Sequence, residues 1–198
     1  MSASAAAADE HYTSTGLNNR KMVFWAFLGS ECMFFGTLIS TYLIYKNHSL
    51  NGPYAHDVLN IPLTSFSAFV LLMSSLTMVL ALASVQRDNV RGAKIWLAST
   101  AGLGLIFIGN QIYEFTHFVT HEGLTLQKNM FGASFFVLTG FHGAHVTGGV
   151  IWLTTLLVMA FKGKLTSKNS LDVEIAGLYW HFVDIVWIAI FTLVYLIQ

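Results

Sequence analysis

Five long runs almost free of charge, at 22–45, 61–86, 95–113, 129–161 and 175–198, constrain this chain more than any other feature of its sequence. Each is long enough to supply the roughly 20 helical residues that cross a bilayer core. In hydrocarbon every backbone polar group must be satisfied within the structure itself, so such runs read as helices. Only 10% of the 198 residues are charged and 55% are hydrophobic, which argues against a water-soluble domain. The expected fold is therefore all-α: a polytopic membrane bundle of five transmembrane helices formed by residues 22–198. The third run is expected to continue as helix toward a stop at Gly123, and the long fourth run to tilt or project. Residues 1–21, rich in Ala, Ser and Thr and lacking an apolar core, read as a mobile cytoplasmic tail rather than a cleaved signal. Asn51, Gly52 and Pro53 suggest a turn between the first two spans.

Charge placement gives a direction. Arg20 and Lys21 precede span one, Arg87, Arg91 and Lys94 join spans two and three, and Lys162, Lys164 and Lys168 join spans four and five. These eight of the ten basic residues alternate onto one side, and only Lys46 and Lys128 fall on the other. By the positive-inside tendency the N-terminus is expected in the cytoplasm and the C-terminus outside. Ten acidic and ten basic residues cancel, so no net basic field exists to hold nucleic acid. The single cysteine, Cys32, excludes an intrachain disulfide and a multi-thiolate metal cluster.

Polar side chains inside the spans are the candidates for chemistry. Glu31 lies about 14 Å of helix in from the cytoplasmic end, and Phe27, Leu28, Phe34 and Phe35 beside it offer no counter-charge. It must hold a proton or find a partner on another helix, which makes it a proton-relay or lipid-contact candidate as well as a plain structural hydrogen bond. His181 and Asp184, three residues apart, join it as candidates; they are expected to pair with each other on one helix face, with Trp180 on a neighbouring stripe. Asp184 sits about as deep as Glu31, so those two helices could meet there. His142 and His145 share a face of span four and read as hydrogen-bonded packing residues, because no second pair of mid-span histidines supplies facing haem ligands. Gly140, Ala144 and Gly148 recur every four residues and are expected to seat a close helix neighbour. Trp180 and Glu114 are further packing or hydrogen-bond candidates, and Glu114, His117 and His121, with Glu122 alongside, follow one face at the outer end of span three. A zinc site is conceivable there, but with no fourth ligand a solvated helix end is the better reading, and no metal is assigned to the chain.

Three segments taken in order, SECMFF at 30–35, FFVLTGFHGAHV at 135–146 and YWHFVDIVW at 179–187, closely resemble subunit III of haem–copper terminal oxidases. Glu114-Phe115, Glu122-Gly123 and Glu174 stand in matching places, so the likeness spans nearly everything from Met22 to Gln198. The resemblance implies an accessory, non-catalytic subunit in a bacterial cytoplasmic membrane that packs on subunit I and associates with subunit II, and with a further small subunit or a larger respiratory assembly. It implies no haem or copper in this chain, both being expected in the partner subunits, together with bound phospholipid. The partner reduces oxygen and pumps protons, and subunit III sustains proton uptake and protects against inactivation during turnover. Two helices of the seven-helix form are missing, as in the short bacterial version, and they form one wall of its lipid cleft. His117 replaces a second Glu found in many relatives, which places the chain nearer the short bacterial cytochrome c and quinol oxidases. Competing readings are a membrane haem carrier using His142 or His145 with His181, a nitric-oxide reductase accessory protein, and a proton-coupled transporter using Glu31 and Asp184. The last is disfavoured because no repeated halves are visible. The charge split predicts that an alkaline phosphatase fused to the C-terminus is active; an inactive enzyme there, with a fluorescent cytoplasmic reporter at the same position, would overturn the five-span count.

Overall fold

A computed structural model describes residues 18–46, 60–121, 123–125, 127 and 130–197. The tail through residue 17, the 51–53 turn, Glu122 and Lys128 lie outside these residues. Five helices carry the chain: α1 (Asn19–Tyr45), α2 (Ile61–Gln86), α3 (Val90–Thr120), α4 (Met130–Phe161) and α5 (Ser170–Ile190), the last continuing as a π-helical turn, Phe191–Leu196. All five are long and apolar enough to cross a membrane. Their starts are set by asparagines. The Asn18, Asn60 and Asn89 side chains accept hydrogen bonds from the Arg20, Leu63 and Gly92 amides, capping α1, α2 and α3. Two stops rest on glycine. Gly163, at φ 68°, lets the Lys164 amide reach back to the Met159 carbonyl, and Gly123, at φ 60°, lets the Leu124 amide reach Phe118. The α3 extension toward Gly123 is thus as the sequence indicates. At the other end of the chain order, α1 begins at Asn19, so Arg20 and Lys21 belong to its first turn rather than to a tail.

The helices α2, α3, α4 and α1 stand side by side in that order, and α5 packs against α2, α4 and α1. This makes α5 the most enclosed helix and α1 the most peripheral, with half of the α5 span buried but 11% of the α1 span. Only Leu28, Phe35 and Tyr42 of α1 are fully buried, seven residues apart, with Glu31 and Leu38 partly buried between them and Phe24 before them. A seam recurring every three or four residues is the narrow contact of a coiled coil, and in this seam Glu31 is the charged position. Both ends of α1 are also fixed to α5. Arg20 pairs with Asp172 at 2.6 Å and Lys21 with Glu174 where both helices begin, while the Lys46 ammonium donates to the Ile197 carbonyl at 2.9 Å where both end. The two helices therefore run parallel.

Close packing falls on other glycines than the spacing suggests. Gly140 has open space where a Cβ would stand, Ala144 and Gly148 are exposed, and a Cβ on Gly148 would meet only the Tyr179 hydroxyl at 3.7 Å. The inward face of α4 instead carries His142, Val146, Gly149 and Val150. There the indole of Trp180 lies over Gly149 and over Gly104 of α3; a Cβ would stand 2.8 Å and 2.7 Å from it, respectively. Period-four spacing identifies a stripe of small residues but not which way it turns, and here the bulk of Trp180 decides. Gly104→Ala and Gly149→Ala should each destabilise the protein by about 1–3 kcal/mol through overpacking, whereas Gly140→Ala should be neutral or stabilising. Thermal melting in detergent checks this, and equal melting temperatures for all three variants would remove the indole seat from the account.

Candidate functional site

Glu31 finds its partner on α4. The Glu31 Oε2 and His145 Nε2 atoms are 3.2 Å apart, and each side chain is less than one-fifth exposed. The other ring nitrogen of His145, Nδ1, lies 2.7 Å from the Phe141 carbonyl, an acceptor, so Nδ1 carries a hydrogen and donates it. One proton must then lie between Nε2 and Oε2: on the ring, facing a carboxylate, or on the carboxyl group, facing a neutral ring. Either arrangement is neutral as a pair, which meets the cost of holding an acid in the span. Phe35 presents its ring to the imidazole at 4.9 Å, Phe34 lies at 6.1 Å, and the Tyr179 hydroxyl donates to the His145 carbonyl at 3.1 Å. The site is thus an acid–imidazole pair with aromatic walls, at the open edge of the bundle.

Asp184 does not meet Glu31. It is buried beside Ser75 of α2, with its Oδ1 lacking a hydrogen-bond partner. The expected direct His181–Asp184 pair is replaced by a serine: His181 Nδ1 lies 2.5 Å from the Ser75 hydroxyl, which also stands beside Asp184. Next to it the Trp180 indole N–H donates to Ser74 at 2.9 Å. Two adjacent serines on α2 therefore hold two adjacent ring side chains on α5 and fix the register of the two helices. The Ser74-Ser75 pair in the middle of an apolar run is the sequence signal for this contact.

His142, expected to be a hydrogen-bonded packing residue, is buried but has no hydrogen bond at either ring nitrogen. It stacks on Trp187 at 4.9 Å with the edge of Phe107 at 5.8 Å, so its contribution is aromatic packing. Glu114 turns inward, as a hydrogen-bonding candidate rather than as part of a solvated helix end. Its carboxylate lies 2.9 Å from the Thr64 hydroxyl, with Tyr195 beside it, leaving His117 and His121 as neighbouring rings 4.8 Å apart at the helix end. Among the described residues no three His, Cys, Asp or Glu side chains converge as metal ligands. Of the histidines the haem-carrier reading would use, His145 spends both nitrogens on Phe141 and Glu31, and His181 spends Nδ1 on Ser75.

Comparison with known proteins matches residues 4–198 to the family model described as cytochrome c oxidase subunit III. The chain is 42% identical to the quinol oxidase subunit 3 of Bacillus subtilis, covering 94% of this chain and 91% of that protein. It is 40% identical to the cytochrome c oxidase subunit 3 of Alkalihalophilus pseudofirmus, covering 90% and 86%. It is 36% identical to the cytochrome bo(3) ubiquinol oxidase subunit 3 of Pseudomonas aeruginosa, covering 94% and 88%.

The hydrogen-bond pattern sets two substitutions apart. Ser74→Ala strands the buried Trp180 N–H and should cost about 1–3 kcal/mol. His142→Phe removes no hydrogen bond and keeps a stacked ring, so it should cost less than about 1.5 kcal/mol. Denaturation of the two variants side by side checks the order; a larger loss for His142→Phe would mean that the imidazole has a polar role.

Proposed function

Since this chain belongs to the cytochrome c oxidase subunit III family, we infer the role of its buried acid–imidazole pair from the place of such a subunit in the complex. It is an accessory, non-catalytic subunit of a haem–copper terminal oxidase in the aerobic respiratory chain, embedded in the bacterial inner membrane by five helices. Relatives named for cytochrome c and for quinol lie within two percentage points of identity, 40% and 42%. That closeness fits a subunit through which no electron passes. Direct packing on oxidase subunit I, association with subunit II, a cytoplasmic N-terminus and an external C-terminus belong to the same reading. The placement of eight of ten basic residues supports the orientation.

Within the complex, Glu31 and His145 hold one exchangeable proton near the middle of α1 and help to supply it to the catalytic subunit. The observation that carries this is the geometry of His145: with Nδ1 committed to the Phe141 carbonyl, the contact to Glu31 requires a proton that either partner can hold. Moving it between the two leaves the net charge of the pair unchanged, so the desolvation cost of the ion-pair form is offset in part by the attraction of the two charges, and no isolated charge is left in the membrane interior. The partial exposure of both side chains gives the proton a way in and out. Asp184 and His181, joined through Ser75 on the far side of α5, are assigned to packing.

Glu31→Gln tests the assignment. The Gln amide donates to His145 Nε2 and keeps the contact, but it carries no transferable proton, so the oxidase should assemble with intact haem and copper spectra. Turnover should fall by about threefold at high pH, where protons are scarce, and hardly at all near neutrality. Stopped-flow proton uptake and loss of activity over successive turnovers provide the readouts. Wild-type behaviour in both would leave the pair as a packing contact.

A further inference from the structure

Two loops distant in sequence meet at the basic end of the bundle, away from the Glu31–His145 pair and independent of its role. Asp88, in the turn between α2 and α3, adopts a left-handed backbone, φ 53°, and its carboxylate accepts from the Ser167 amide at 2.8 Å and the Ser167 hydroxyl at 2.9 Å. In the first turns of α3 the Lys94 ammonium stands 5.0 Å above the ring of Phe161, the last residue of α4. These contacts bring Arg87, Arg91 and Lys94 of one connection together with Lys162 and Lys164 of the other. Asp88 is engaged by Ser167, and Asp172 and Glu174 on the same side are engaged by Arg20 and Lys21. Among the described residues the five cations therefore have no acidic partner. The N-terminus of α3, with its partial positive charge, opens among them.

Directly next to the cations the surface turns apolar: Ile95, Val158 and Phe161 are exposed, Phe161 at 65%. Lys94 over Phe161 joins the cationic and the apolar parts of this surface. An acidic protein segment would match the charges but leave these side chains without a complement. A phospholipid matches both, with phosphate on the cations and an acyl chain along the apolar residues. We propose that the Arg87, Arg91, Lys94, Lys162 and Lys164 patch, assembled by the Asp88–Ser167 clasp, binds an anionic phospholipid headgroup, with a doubly charged headgroup preferred over a singly charged one.

The test uses the intact, delipidated oxidase complex in mild detergent, titrated with cardiolipin or phosphatidylcholine and read by native mass spectrometry. The wild type should bind one more cardiolipin at high affinity than the triple variant Arg87→Gln/Arg91→Gln/Lys164→Gln, with affinity at that site falling about fivefold per cation removed. Phosphatidylcholine binding should not change. Asp88→Asn and Lys164→Gln, tested singly, should give the smaller losses expected of a loosened clasp and of one lost cation, and they keep the test open if the triple variant fails to assemble. Equal cardiolipin binding by wild type and variants would overturn the proposal. So would full displacement by inorganic phosphate, which would assign the patch to a free anion, and so would a cross-link from Lys162 or Lys164 to an acidic residue of another subunit, which would assign it to protein contact.

Discussion

A polar group inside a bilayer has no solvent to fall back on, so most of those in this bundle, with exceptions such as the His142 nitrogens, are matched by another group of the protein. That constraint organises this bundle more than hydrophobic contact does, because lipid tails are as apolar as the leucines and phenylalanines facing them. Burial alone cannot fix how five apolar helices are arranged. Specific contacts do: Trp180 and His181 of α5 meet Ser74 and Ser75 of α2, Gln111 of α3 donates to the Thr139 carbonyl of α4 at 2.7 Å, and Thr77 of α2 meets Thr100 of α3 at 2.8 Å. Each joins two helices at one register, and a one-residue slip would leave both partners unsatisfied.

The attachment of α1 follows the same rule under the most severe conditions, since this helix has little surface against the others. Its narrow apolar seam of Phe24, Leu28, Phe35, Leu38 and Tyr42 would tolerate sliding by a heptad. Ion pairs at the start, Glu31 at the middle and Lys46 at the end do not. Glu31 in the seam is comparable to a single polar core residue in a coiled coil, which fixes register at some cost in stability. Positioning α1 and holding a proton are thus compatible demands on one side chain. The first needs the contact to His145; the second needs that contact to contain a movable hydrogen.

Much of the fold was legible because hydrocarbon imposes a length and a composition that stand out in sequence. The run at 61–86 coincides with α2, and α4 begins one residue after the expected 129. Helix ends at Val90 and Thr120 were harder to place, since α3 continues through Arg91, Lys94 and Glu114, residues that interrupt a charge-free run without interrupting a helix. The site was legible in its members but not in its pairings. Glu31 needs a partner on another helix, and that follows from its apolar neighbours; that the partner is His145 rather than Asp184 depends on how α4 and α5 rotate. Rotation is set by bulky groups such as Trp180 seated over Gly104 and Gly149, and spacing within one helix carries no information about them. For the same reason the His142 and His145 faces, equivalent in sequence, separate into a dry aromatic stack and a proton-holding contact.

Placement of the two acids of α1 and α5 then sets them apart for the proposed proton exchange. Asp184 is 4% exposed and has α2 and α5 side chains around it, so a proton reaching it must pass through packed protein. Glu31 lies on the most peripheral helix and meets His145 of α4, and both side chains of that pair stay partly exposed at the α1–α4 edge. A bundle that buried α1 as deeply as α5 would fix the register more firmly and cover this edge. The sparse packing of α1, supported at both ends by ion pairs and a lysine–carbonyl bond rather than by a broad apolar face, leaves Glu31 and His145 partly exposed at the α1–α4 edge, as the proposed exchange requires.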